Sequence, residues 1–471
     1  MDSTAGGRMA RSEKHANSGK STNGAKRSTS ATRSPSESTS TSTSTSTSPP
    51  PHLARAGAYW TAAAVALIAL WTSGAPSTSY PLYSAEWALT PVVITAVFGT
   101  YPVALVITLL ATGSLSDFVG RRVAILLGVG GMLVGTLLFA LASDVVMLFI
   151  GRAFMGIGVG LALSPASAAV LEFSKPGRAR VAASTTTAAT ALGVVLSALT
   201  GGALVQYGPL PLALDYWVLV AVITVVGVLA WFLPEPAKSA TSATARPARW
   251  RPEINIAIPP GQSLIFATAA LAASIAYMTG GIVLALGASI ARQLLETQNS
   301  LVVGALLATM FVVAGVLAVA TRLLGPRLSM RLGGFLAIGA FVLFAASASL
   351  GSVILFLLAA AFAGGAYATA FSGGLGYVSL HAPPHHRAGA ISAFYLAAYA
   401  AQGAIAVALG LIATLASLLT AVMIGSAIMI GLSAVLVVLT FLRGRRTGAP
   451  TTRALAAARD SPADAPPRTA K

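Results

Sequence analysis

The stretch GSLSDFVGRR, residues 113–122, sets Asp117 four residues before Arg121, with Arg122 adjoining, between two long apolar runs. A carboxylate near a helix N-terminus, with guanidinium groups in reach, can form charge-assisted hydrogen bonds between helices. Gly113 and Gly120 bound the turn and permit close approach. A plainer role fits the charges equally well: arginines that hold a loop on the cytosolic side of a membrane. Arg152 is the second group of interest, because it stands inside an apolar run. A guanidinium there costs roughly 2.5–3.5 kcal/mol on insertion scales, so it must face the protein interior or a wet cavity. The alternative is a place near the headgroups, paired with Asp144.

Aromatic and amide side chains inside apolar runs are candidate cavity liners: Trp71, Tyr80, Tyr101, Tyr277, Tyr367, Tyr395, Tyr399 and Gln402. Tyr395, Tyr399 and Gln402 recur at i, i+4 and i+7 and so share one helix face. A single Tyr in such a run more often anchors or packs. The hydroxyl-rich run STTTAAT (184–190) can bond its own backbone. HAPPHHRAG (381–389) has clustered histidines but no companion carboxylate, so no metal site is expected. Cysteine is absent, which removes disulfides and thiolate chemistry. No nucleotide-binding loop, nucleophile–base set or catalytic carboxylate pair is present. Neither an enzyme nor a cofactor is expected.

The elements that carry these residues follow from composition. Of 471 residues, 55% are hydrophobic and 9% charged, with mean hydropathy +0.79. Soluble domains carry about a quarter charged residues, so this is a membrane protein. Twelve runs are long enough to cross a bilayer, near 57–77, 91–112, 123–142, 146–171, 183–205, 216–233, 262–290, 300–321, 334–350, 352–378, 389–413 and 418–442. Backbone groups in lipid must be satisfied internally, so these runs are helices. The expected fold is all-α: a twelve-helix membrane protein in two six-helix bundles, 57–233 and 262–442, joined by a cytosolic linker at 234–261. The tails, 1–56 and 443–471, are expected to be disordered and cytosolic, and no cleavable signal peptide is expected. The net charge of +17 suggests nucleic acid only until its positions are read. Of the Lys and Arg residues, all but Arg152 and Arg292 fall on the side assigned to the cytosol or at its membrane edge. The excess is a topology signal, and no nucleic-acid partner is expected.

The turn Gly113-x-Leu115-x-Asp117-x-x-Gly120-Arg121-Arg122 resembles the signature of the major facilitator superfamily, at the loop between spans two and three where that family carries it. Arg152, Gly156 and Gly158 resemble its second motif. Glu172, with Arg178 and Arg180, resembles the acid and bases that pair with the first motif. Gly193, Gly201 and Gly202 stand at the spacing of the span-five antiporter motif, but Ser197 and Ala198 replace its glycine–proline pair. PEP after span six is also similar to the family. GPRLSMRLGG (325–334) resembles a decayed copy of the first motif, with Ser329 where the acid would fall. The resemblance covers residues 57–442. It implies two bundles that rock about a central site, and a conformational latch made of Gly113, Asp117, Gly120, Arg121, Arg122, Glu172, Arg178 and Arg180. It also implies a transport pathway lined by Arg152, Gly156, Trp71, Tyr101, Tyr277, Tyr395, Tyr399 and Gln402.

The expected function is secondary transport of a small organic solute by alternating access, with proton-coupled efflux preferred. Proton-coupled metabolite uptake is the alternative, and a non-transporting membrane sensor ranks below both for want of an ordered output domain. The expected partners are a small-molecule substrate, protons and the lipid bilayer, with the chain acting as a monomer in a bacterial plasma membrane. No acid stands mid-membrane in spans one, seven or ten. Glu86, Asp117 and Glu172 all lie near the surfaces, so the residue that carries the proton is not evident.

Overall fold

The structure, a computed structural model, describes residues 53–112, 115–235, 263–320, 323–383 and 387–446. Among these, every regular element is a helix, and twelve spans are long and apolar enough to cross a membrane. The first half contains α1 (Arg55–Gly74), α2 (Pro76–Glu86), α3 (Pro91–Thr112), the short α4 (Leu115–Val119), α5 (Arg121–Ala140), α6 (Val145–Phe173), α7 (Ala179–Tyr207) and α8 (Leu214–Trp231). The second contains α9 (Ser263–Gln293), α10 (Ser300–Ala320), α11 (Pro326–Leu350), α12 (Val353–His381), α13 (Arg387–Leu415) and α14 (Leu418–Arg446). An even number of crossings puts Arg55, Trp231, Ser263 and Arg446 on one side, here the terminal side. The opposite side is the far side.

Two spans differ from the sequence expectation by more than four residues at one end. Span one runs on to Glu86, because after a break at Ala75 the chain re-enters helix as α2 with Pro76 in its first turn. Proline suits a first turn, where its missing N–H has no intrahelical partner to lose. For the same reason span nine begins at Pro326 rather than 334, its basic residues forming helical turns at the membrane edge. The expectations for both tails and most of the linker fall outside the described residues, as do His385 and His386.

Helix pairs pack through small residues. A β-carbon on Gly128 would lie 2.6 Å from Gly158 O, and one on Gly135 would lie 2.6 Å from Gly151 O, so α5 and α6 meet backbone to backbone. In the second half Gly333 and Gly373 do the same for α11 and α12. Lipid tails are as apolar as leucine, so such close contact, rather than water exclusion, holds the helices together. Between the halves, α7 packs on α10, α3 on α13 and α2 on α9. Two cross-bundle hydrogen bonds lie at the far side: Ser300 N–H donates to Gln206 Oε1 (2.7 Å), and Val92 N–H donates to Thr414 Oγ1 (3.0 Å). A β-carbon on Gly202 would stand 2.6 Å from Ser300 O. The far side is closed.

Candidate functional site

Arg152 lies in α6 with no exposed surface. It does not pair with Asp144. That carboxylate accepts from Met147 N–H (3.0 Å) and caps α6. The guanidinium is held instead by the break in span one. Nη1 donates to Ser73 O at 2.9 Å, one of the last carbonyls of α1 and so left without a helical donor. Nε donates to Tyr80 Oη in α2 at 2.9 Å, and Nη2 donates to the same oxygen. The guanidinium carbon also sits 5.5, 5.7 and 5.6 Å from the ring centres of Tyr80, Phe98 and Tyr101. Cation–π contacts stabilise by about 0.5–2 kcal/mol each, more when desolvated. A buried cation without a carboxylate is thus held by carbonyl, phenol and ring faces.

The second centre is aromatic and belongs to the other half. Tyr277 (α9) stacks on Tyr367 (α12) at 5.9 Å and meets Tyr399 (α13) edge-on at 4.6 Å. Phe371 touches Tyr277 at 5.5 Å and Tyr395 at 5.9 Å, and Tyr395 stacks on Tyr399 at 6.5 Å. α3, which carries Tyr101, packs on α13, which carries Tyr395 and Tyr399. The two centres therefore stand on either side of the same bundle interface. Gln402 packs against Gly281, and its Oε1 has no hydrogen-bond partner among the described residues. Trp71 is buried in α1 with its Nε1 likewise unpartnered.

Arg152, Tyr101, Tyr277, Tyr395, Tyr399 and Gln402 are thus assembled as six side chains around one interface. Gly156 is not a wall of it. A β-carbon there would lie 2.5 Å from Tyr101 O, so the glycine serves the α6–α3 contact that sets Arg152 against Tyr101. In span five the glycines divide their work. Gly193 meets the backbone of α1, Gly201 faces Thr78 and Asp215, and Gly202 faces α10 in the other half. Thr185, Thr186, Thr187 and Thr190 donate to their own helix backbone.

The turn at 113–122 joins parts of the first half. Arg121 pairs with Glu172, tying α5 to α6. Arg122 N–H donates to Glu235 Oε1 at 3.2 Å, and its guanidinium lies 5.5 Å from the Trp231 ring, tying α5 to the end of α8. Gly120 has φ 98, in the left-handed region, and a β-carbon there would meet the Glu235 carboxylate. Arg178 is exposed and makes no ion pair among the described residues. Gly113 and the side chains of Asp117 and Arg180 lie outside them. In the counterpart turn Arg331 donates to Thr440 O (2.7 Å) and lies over Phe441, so it fastens α11 to α14.

Several residues of this region escape the sequence reading. Ser73 acts through its carbonyl, which no side-chain pattern announces. Glu235 sits in the PEP that follows span six. Asp215, in the first turn of α8, reads in sequence as an acid near a helix N-terminus. In the structure it is 1% exposed and neither oxygen has a partner among the described residues.

Residues 60–350 match the Major Facilitator Superfamily. Among curated proteins no sequence match is found. Solved structures share the fold at low identity. The nucleoside transporter NupG superposes with a TM-score of 0.67 at 13% identity, over 82% of this chain and 99% of its own. A peptide transporter POT, crystallised with sulfate, gives 0.66 at 17%, over 82% and 94%. An inward-facing bacterial homolog of the human lysosomal transporter Spinster gives 0.62 at 14%, over 83% and 97%. With twelve spans, two bundles and the match over most of its length, the chain belongs to the Major Facilitator Superfamily and is a membrane transporter of small solutes rather than an enzyme.

Proposed function

We propose that this transporter expels a small, ring-bearing organic compound from the cell in exchange for protons. The carrying observation is that Arg152 with Tyr101 in the first half and the Tyr277, Tyr367 and Tyr399 cluster in the second stand on facing helices of one bundle interface. Phenol faces offer stacking and hydroxyls offer hydrogen bonds. Among the described residues, no carboxylate pairs with Arg152. That charge favours neutral or anionic compounds over cations. Unpartnered Gln402 Oε1 and Trp71 Nε1 supply an acceptor and a donor for orientation.

Transport by alternating access requires the far-side seam to part. Backbone contacts through Gly202 and Gly304, with one hydrogen bond beside them and another between α3 and α13, make a seam of small differential energy, suited to a two-state equilibrium. The turn at 113–122 braces the terminal end of the first bundle so that it moves as a body, and a state-dependent latch there works through Asp117. Span-five glycines at the antiporter spacing favour exchange. The far side is the outside of the plasma membrane, as the basic residues on the terminal side indicate.

The test uses everted membrane vesicles with an imposed pH gradient and a panel of neutral, anionic and cationic ring-bearing compounds. Proton-driven accumulation of neutral or anionic members, abolished by a protonophore and by Arg152→Ala, is expected. Accumulation in the opposite direction would establish uptake, and uphill movement indifferent to a protonophore would exclude proton coupling.

A further inference from the structure

We propose that Asp215 is a proton-operated gate: it takes up a proton from far-side water, and its neutralisation lets that side close. The inference rests on the proton-coupled reading above and adds to it a gate on the far side.

Asp215 sits in a buried polar cluster of Ser77, Ser79, Tyr83 and Tyr216 that supplies no cation among the described residues. Neither Asp215 oxygen nor Ser77 Oγ meets a hydrogen-bond partner at full geometry, while Ser79 and Tyr216 lie within reach of each other. The break at Ala75–Pro76 creates this cluster by turning Ser77, Thr78 and Ser79 inward, each at most 2% exposed. A β-carbon on Gly201 would lie 3.3 Å from Asp215 Oδ2, with Thr78 Oγ1 also against that site. Thr200, the neighbour from α7, donates its hydroxyl to Leu196 O (2.6 Å) and stands close enough to Asp215 to turn to it instead. The titratable groups facing Asp215 are the phenols Tyr83 of α2 and Tyr216 of α8. Arg152 of α6 stands beyond Tyr80 and is not paired with it. The ionisable residues of α1 (Arg55 and Tyr59) and of α5 (Arg121 and Arg122) lie at the opposite, terminal end.

An ionised carboxylate in this setting carries an uncompensated charge away from water, which is far costlier than a neutral polar group. The neutral acid fits the closed cluster. It also supplies an O–H, which Thr200 or an unpartnered serine can accept. The step is a simple transfer. A hydronium in far-side water gives up its proton, an O–H bond forms on Oδ1 or Oδ2, and water remains. When the far side reopens and rehydrates the cluster, the bond breaks and the proton returns to far-side water.

The link to closure is one peptide long. Gly201 faces Asp215 and Thr78, and the next residue, Gly202, faces Ser300 and Gly304 across the far-side seam. A charged Asp215 demands water, and water enters only if α7 and α2 withdraw from α10 and α9. Protonation removes that demand.

The test needs no substrate. The chain has no cysteine, so Leu301→Cys, whose Cα would lie 3.1 Å from a β-carbon on Gly202, is a single reporter on the seam. Protein in lipid vesicles is labelled with an impermeant maleimide across a pH series, each rate being corrected for thiol ionisation with an exposed control, Ala416→Cys. The corrected rate is expected to rise about tenfold per pH unit below the midpoint, the slope of one proton. Asp215→Asn, neutral at every pH, should label slowly with no pH dependence. Should the Asn variant fail to fold, Asp215→Glu decides, because the profile should then move along the pH axis. A profile unchanged by either substitution, or one already flat in the parent, overturns the assignment. Failure of the underlying function reads differently, as uphill transport by the parent that survives a protonophore.

Discussion

Tyr80→Phe tests whether the site uses the fork of Arg152 or only its charge. The substitution deletes one oxygen and keeps the ring that lies 5.5 Å from the guanidinium. Two N–H groups, Nε and Nη2, lose their acceptor together, and Ser73 O remains for Nη1. Neutral interhelical hydrogen bonds in membranes average only about 0.6 kcal/mol, because the unfolded helices find other partners. Bonds to a charged group are worth about 1.5–3 kcal/mol. With two charged donors on one buried phenol, Tyr80→Phe should destabilise the protein by about 2–3 kcal/mol. Arg152→Lys removes the planar fork but keeps the charge, and should cost a similar amount. If both substitutions break the same contact, the double variant costs little more than either single one. The coupling should then reach about 1.5 kcal/mol or more, well beyond the 0.5 kcal/mol or so seen between independent sites. The measurement is equilibrium unfolding of the four purified proteins in mixed micelles. Additive losses, or a Tyr80→Phe protein as stable as the parent, would refute the argument.

Other expectations follow from single contacts. Gly202→Val places a side chain 2.6 Å from Ser300 O, so it should hold the far side open and speed maleimide labelling of Leu301→Cys at every pH. Lys175→Cys, on the terminal side, should resist an impermeant thiol reagent in intact cells while Ala416→Cys reacts, and the reverse pattern would invert the orientation. Glu172→Gln removes the partner of Arg121 at a pair about one-third exposed, so unfolding should shift by less than about 1 kcal/mol. Asp117→Asn should leave the protein inserted and stable but slow its turnover, and labelling of the far-side reporter should change with it. Unaltered labelling in a slowed protein would argue against a latch.

The sequence by itself determined the solvent, the element type and the family. Long apolar runs in a chain with few charges can satisfy their backbone only as membrane helices. The turn at 113–122 carried enough spacing to resemble the family across residues 57–442. It also singled out Arg152, because a guanidinium in lipid always demands an explanation. It could not say what held that guanidinium. The answer is a carbonyl freed by a helix break and a phenol from α2, and partners so distant in the chain meet only after six helices have packed. Nor could it separate the tyrosines that anchor from those that gather. A tyrosine's own helix fixes its face, but the stack of Tyr277, Tyr367 and Tyr399 draws one ring from each of three helices. Asp215 shows the limit most plainly. In sequence it is an acid beside a helix N-terminus, where water and free N–H groups would serve it. Tertiary packing instead closes α2 and α7 over it and takes the water away, and its oxygens accept from no N–H among the described residues. Burial is a property of all the neighbours at once, and no local pattern of residue types encodes it.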